Sequence, residues 1–216
     1  MRTQTFISSM VLSVACVSAA NAGVVDPFTV ASSATDDAGT PTVTPITGGL
    51  WDTRATYVQY RINITNRATA SMDVDASSNA ATFQVTRVNA ASTANSQSGA
   101  LEYFNAAGVT DVSNFTSLTF NYTSTFSSLR FEIDLGGKSA TKTISASAGG
   151  TFTLTAAELS GAFSGDGYMN MMLTQVNSNA SGTFTMTNLV ANGIPAPGAI
   201  ALLGAAGLIG GRRRRD

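Results

Sequence analysis

The 216-residue chain contains no histidine and a single cysteine, and charged side chains make up only 12% of it. Without histidine there is no imidazole to serve a nucleophile as general base, and the commonest zinc ligand is missing. The one thiol, Cys16, falls inside an N-terminal apolar stretch from Phe6 to Val17 that follows Met1 and Arg2. Small residues come next, with Ala20 and Ala22 on either side of Asn21, which is the layout a signal peptidase cleaves. Cleavage is expected after Ala22, and the mature chain would then hold no cysteine, so disulfide and thiolate chemistry are excluded. A lipid-attachment signal is not expected at Cys16, because Ser13 occupies the place where such a signal has leucine.

The charge that is present is unevenly distributed. Setting aside Arg2, Arg212 to Arg215 and Asp216 leaves seven basic and 12 acidic residues, a balance of −5 that repels phosphate backbones. No nucleic-acid partner is expected.

The last 23 residues have three parts: Pro195, Ala196, Pro197 and Gly198, then a run from Ala199 to Ile209 without a polar side chain, then the cluster Arg212, Arg213, Arg214 and Arg215. As a helix, the stretch from Ile194 to Gly211 would reach about 27 Å, just short of the hydrocarbon thickness. The arginines should stay on the cytoplasmic side and stop transfer, leaving the preceding domain outside. The two prolines hold the junction extended, so that it can be gripped and cut.

This order resembles the PEP-CTERM sorting signal, whose family members are processed by an exosortase and released or transferred outside the cell. The likeness rests on Pro195, Pro197, Gly198, an apolar run with Leu202, Leu203, Leu208 and Ile209, and the arginines; Ala196 stands where the family usually has Glu. The resemblance implies transient insertion in the inner membrane, an exosortase-type partner besides the secretion machinery and signal peptidase, and a final place in the envelope or outside the cell. A permanent membrane anchor is the alternative for the same residues.

Between the two signals, at 23–193, alternation of apolar and polar residues dominates. Val58 to Ile64, Leu118 to Tyr122 and Leu129 to Leu135 read as strands with one buried and one wet face. Weaker strands are expected at Thr82 to Val88, Ala140 to Ser145, Thr151 to Thr155, Tyr168 to Val176 and Gly182 to Val190. Thr155 and Glu158 fit a capping box for a short helical connection ending at Gly161, and Asp36 to Thr47 reads as an exposed loop or entry arm. The fold expected is all-β, an antiparallel jelly-roll-like sandwich. Asp26, Pro27 and Phe28, the Gly48–Gly49 turn leading to Arg54, and Asp111, Val112 and Ser113 resemble features of other PEP-CTERM ectodomains, which implies a sandwich similar to carbohydrate-binding modules.

With thiol and imidazole gone, chemistry is left to carboxylates. Glu102, Glu132, Glu158, Asp111, Asp134 and Asp166 could supply a glycosidase pair by type, although Glu132 and Asp134 read first as a solvated strand face. Asp36, Asp37, Asp73 and Asp75 lack the spacing of a calcium loop, so no metal or other cofactor is expected. Trp51, with Tyr57 or Tyr168, is the candidate platform for stacking a sugar, against the plainer expectation that Trp51 closes the core. The methionines of Tyr168 to Leu173 read as core, and Asn63, Asn114, Asn121 and Asn179 open glycosylation triplets of the kind that chance supplies in so Asn/Ser/Thr-rich a chain. The resulting expectation is a non-catalytic cell-surface or matrix protein, with an extracellular polysaccharide-binding module as the alternative.

Overall fold

The computed structural model describes residues 22–35, 40–61, 69–86, 96–145, 149–175 and 181–194. The expected signal sequence up to residue 21, the sorting motif from Pro195 and the arginine cluster lie outside the described residues, as do Asn63 and Asn179. Among the described residues, no helix is long and apolar enough to cross a membrane.

The strands are β1 (Ala22–Asp26), β2 (Ser32–Thr35), β3 (Thr42–Pro45), β4 (Thr53–Arg61), β5 (Thr69–Asp75), β6 (Ala80–Thr86), β7 (Ser96–Phe104), β8 (Ser117–Ser124), β9 (Ser128–Leu135), β10 (Lys138–Ser145), β11 (Gly150–Thr155), β12 (Met169–Gln175) and β13 (Gly182–Asn192). They form two antiparallel sheets. Sheet A runs β11-β8-β13-β6-β5-β2, with β1 also on β13, and sheet B runs β10-β9-β12-β7-β4-β3. The expected all-β sandwich is what the chain forms.

Alternation explains why the sheets face each other. Phe120 and Leu118 of β8, Phe184 of β13 and Phe83 of β6 turn inward from sheet A, and Phe131, Ile133, Leu101 and Tyr103 answer from sheet B, all buried. Phe131 crosses the gap to meet Phe120 with ring centres 5.6 Å apart, and Phe152 stacks on Phe120 at 4.7 Å. Such ring pairs add about 0.5–1.5 kcal/mol each beyond the area they bury. At Gly99 the sheets lie close together: a Cβ there would lie 2.5 Å from the Phe83 ring.

Several elements depart from the expected pattern. Asp36 to Thr47 is not wholly a loop, because Thr42–Pro45 pairs with β4 as the edge of sheet B. Pro41 precedes this strand and Pro45 ends it, which an edge tolerates because it can spare backbone donors. The helical start at Thr155 is realised only as a 3₁₀ turn, Ala156–Glu158, with its capping box intact. Glu158 accepts from the Thr155 N–H at 2.7 Å and from Lys142 Nζ at 2.7 Å, and these donors, Lys142 foremost, hold its carboxyl down to about 2.

Strand β1 completes the sheet. β6 pairs with β13 only from Gly182 to Met186, and β1 takes the same edge of β13 from Leu189 to Asn192, setting Ala22 opposite Asn192. At its inner end Asp26 forms an ion pair with Arg54 of β4, both side chains essentially unexposed. Asp26 also accepts from the Phe28 N–H at 2.7 Å, while Arg54 Nη2 donates to the Val30 carbonyl at 2.5 Å and to Ser32 Oγ at 3.0 Å. Asp26 and Arg54, singled out on resemblance, thus tie the first strand to the opposite sheet.

Candidate functional site

The outer face of sheet B carries the cleft. Registers place Ser139, Asp134, Asn170, Glu102 and Ala55 side by side in one row across β10, β9, β12, β7 and β4. The next row holds Thr141, Glu132, Met172, Ala100 and Tyr57. Ala55 and Ala100 are short, so larger side chains stand around them, and a cleft of about 390 Å³ opens between Tyr57 and Gln59 on one side and Asp134, Ser139 and Thr141 on the other.

Its polar groups are held in place by one another. Asn170 Nδ2 donates to the Tyr57 hydroxyl at 2.5 Å. Burial pushes the Tyr57 phenol above its ordinary value; the Asn170 bond works against this, and the Glu102 charge adds to it. Tyr168 lies at the entry to β12 and donates to Asp134. Its phenol is pushed up to about 12, by burial first, then by that bond and by the charges of Asp134, Asp166 and Glu102. Arg130 Nε stands 3.2 Å from Glu132 Oε1, and Glu132 Oε2 accepts no hydrogen bond from the described protein atoms.

The structure therefore brings Tyr57, Tyr168, Glu102, Glu132 and Asp134 to one face. Trp51 is not among them. It is 2% exposed, its indole N–H donates to the Gly167 carbonyl at 2.6 Å, and its ring packs 6.1 Å from Tyr103. As a stacking platform Trp51 is corrected: its faces are spent on the core, because the turn before β4 directs it between the sheets.

Met169 and Met171 are core residues, but Met172 points the other way and lines the cleft. Met172 is thereby corrected from its expected place in the core, and Asn170 and Gln59 were not singled out by sequence reasoning; the signal for all three was the alternation of β12 and β4. Asp111 is an exposed turn cap for the Ser113 N–H at 2.9 Å, and Asp166 accepts from Ser164 Oγ at 2.8 Å, so neither joins the cleft. Among the described residues no group of three His, Cys, Asp or Glu could hold a metal ion.

An all-β antiparallel sandwich with a polar cleft on one sheet is the class this geometry defines. No protein-family model matches the chain, and no curated protein matches it. Among solved structures it is similar to a family 11 carbohydrate-binding module of a cellulosomal cellulase of Clostridium thermocellum, at 14% identity and TM-score 0.44, over 82% of this chain and 96% of that one. It is also similar to a family 29 carbohydrate-binding module, at 12% identity and TM-score 0.38 over 67% and 95% of the two chains. An agarase aligns at 7% identity and TM-score 0.40, over 64% of this chain and 23% of that one. At such identity and overlap, the likeness assigns no ligand.

Proposed function

We propose that the protein is a non-catalytic, exported surface or matrix protein that binds extracellular polysaccharide in the cleft of sheet B. One observation carries the reading. Tyr57, Asn170, Asp134 and Thr141, from four different strands, converge on an open cleft in which amide, phenol, carboxylate and hydroxyl groups lie beside the half-buried side chain of Met172. Sugar hydroxyls need such alternating donors and acceptors, and sugar ring C–H faces need a small apolar contact.

The sorting part of the reading rests on the sequence alone. Removal of residues 1–22, transient insertion of the tail in the inner membrane and exosortase-type processing near Pro195 to Gly198 would deliver the sandwich outside the cell. Intact mass of the protein recovered from its producing cells tests both trims: a retained arginine cluster would replace processing with a permanent anchor.

For the cleft, the test is calorimetric titration with soluble neutral glucans, mannans and galactans. Binding to one of these classes, reduced at least tenfold by Asn170→Ala and by Tyr57→Phe, is the expected result. Absence of binding to any of them, or binding indifferent to both substitutions, overturns the assignment. A second reading comes from the row itself: Glu102 and Asp134 flank Asn170 two strand spacings apart, a backbone separation of roughly 9.5 Å across the sheet, and so supply two carboxylates on one face, the residue types a glycosidase uses. Release of reducing ends that disappears in both Glu102→Gln and Asp134→Asn would establish hydrolysis instead of binding.

A further inference from the structure

The outer face of sheet A is unlike the cleft face. Buried apolar residues recur at alternate positions of β11, β8, β13 and β6, and threonine predominates between them, alongside Ser117, Asn121 and Gln84, as in Thr-Phe-Thr-Leu-Thr of β11 and Thr-Phe-Thr-Met-Thr of β13. Registers align these hydroxyls across the sheet: Thr123 with Thr185, Thr185 with Thr82, Thr153 with Thr119. Thr82 and Thr185 hydroxyls lie 3.2 Å apart, and Thr151 donates to Asn121 at 2.9 Å. Among the described outward residues of this sheet's strands the only charges are Asp73 and Asp75, both on β5. A depression of about 220 Å³ lined by Thr35, Thr69, Ser71, Gln84, Thr86 and Ala70 lies near the β2 side, also without charge.

A soluble sheet face is ordinarily dotted with Lys, Glu, Asp and Arg. This one withholds them from β11, β8, β13, β6 and β2 and carries only Asp73 and Asp75, on β5, while the opposite face concentrates Glu102, Glu132, Asp134 and Arg130 around its cleft. A partner of the four strands from β11 to β6 has no charge to match. Nucleic acid and anionic membrane would require basic residues here. A protein partner would require the aromatic, Met or Arg anchors that centre protein interfaces, and the face has none. Its extent, roughly 24 Å across five strand spacings by about 20 Å along the strands, also falls short of the roughly 800 Å² per side of a stable dimer. A crystal plane is disfavoured by geometry, since neighbouring strands rotate by about 20–25° and no flat lattice follows that twist.

We propose that the threonine face of sheet A is a second binding surface, for the compliant, hydrated surface of an insoluble neutral polysaccharide. β-Branched threonines are stiff at χ1, so their hydroxyls are presented with little further loss of side-chain freedom. Many weak contacts along one polymer give retention through multiplicity. The proposal is independent of the cleft reading; if both hold, the sandwich has back-to-back sites and cross-links the matrix it binds.

The test is co-sedimentation of the full-length protein with phosphoric-acid-swollen cellulose and with insoluble β-1,3-glucan. Two variants are compared with the parent, Thr123→Lys/Gln84→Lys and Thr119→Ala/Thr185→Ala, each checked for an unchanged near-ultraviolet spectrum. Retention of the parent on at least one polymer, cut at least tenfold by both variants and not by Asn170→Ala, is the expected result. Failure of the parent to sediment, or retention that both variants preserve, overturns the proposal. So does suppression of ice growth by the parent that the variants abolish, which would give the face to ordered water. Soluble-glycan titration of the same variants reads the cleft separately, so either assignment can fail alone.

Discussion

Replacing Arg54 with methionine should strand a carboxylate inside the sandwich. Asp26 would keep the Phe28 N–H as its hydrogen-bond donor, and the Val30 carbonyl and Ser32 hydroxyl would lose theirs, all at a site where the two charged side chains are 0% and 1% exposed. Removing one partner of a buried ion pair costs about 3–5 kcal/mol, a large part of the 5–15 kcal/mol that holds a typical domain folded. At about 2–4 °C per kcal/mol for a chain of this size, the melting temperature should fall by roughly 6–20 °C. Lysine should not rescue, since one ammonium cannot fork to Asp26, Val30 and Ser32 together. The double variant Asp26→Leu/Arg54→Met should lose less than the two single losses combined, because neither charge is then left alone. Urea unfolding of the parent, the three single variants (Arg54→Met, Arg54→Lys and Asp26→Leu) and the double variant at neutral pH is the assay. An Arg54→Met protein within about 1 kcal/mol of the parent, or strictly additive single and double changes, would refute the view that this pair locks β1 to sheet B.

Two other outcomes follow from geometry. Tyr168, titrated by its ultraviolet absorbance, should ionise near 12, and Asp134→Asn should bring it down toward its ordinary value near 10. Because the folded state holds the phenol proton more tightly, its stabilising contribution is complete below pH 10 and is lost as pH rises through 12, so Asp134→Asn should flatten the alkaline limb of stability. Trp51→Ala should cost about 3–5 kcal/mol by emptying a core site and orphaning the Gly167 carbonyl, while Trp51 emission in the parent should stay blue-shifted and unchanged by any polysaccharide that binds the cleft.

Strands with clean alternation were legible from residues alone. β8 and β9 lie within a residue or two of where Leu118 to Tyr122 and Leu129 to Leu135 placed them. β7 was not, because Ser96 to Gly99 offers no apolar beat, and Gly99 sits there for lack of room against Phe83 rather than for a turn. β1 and β3 were missed for a related reason: both are short and owe their conformation to pairing with β13 and β4, not to their own pattern. Of the site, residue types were readable but proximity was not. Tyr57, Glu102, Asp134 and Asn170 meet only because β4, β7, β12 and β9 are neighbours in the sheet, an order the chain visits out of sequence. Trp51 illustrates the converse, an aromatic beside a glycine turn whose destination was fixed by the core it had to close.

The pairing of β1 and β8 with opposite edges of β13 also determines how the molecule bears load. A pull applied through Ile194 enters a strand gripped along both sides, by β8 from Phe184 to Asn192 and by β6 and β1 in succession on the other. Tension along that axis would load many hydrogen bonds simultaneously instead of peeling them one at a time, which is the arrangement that best resists shear.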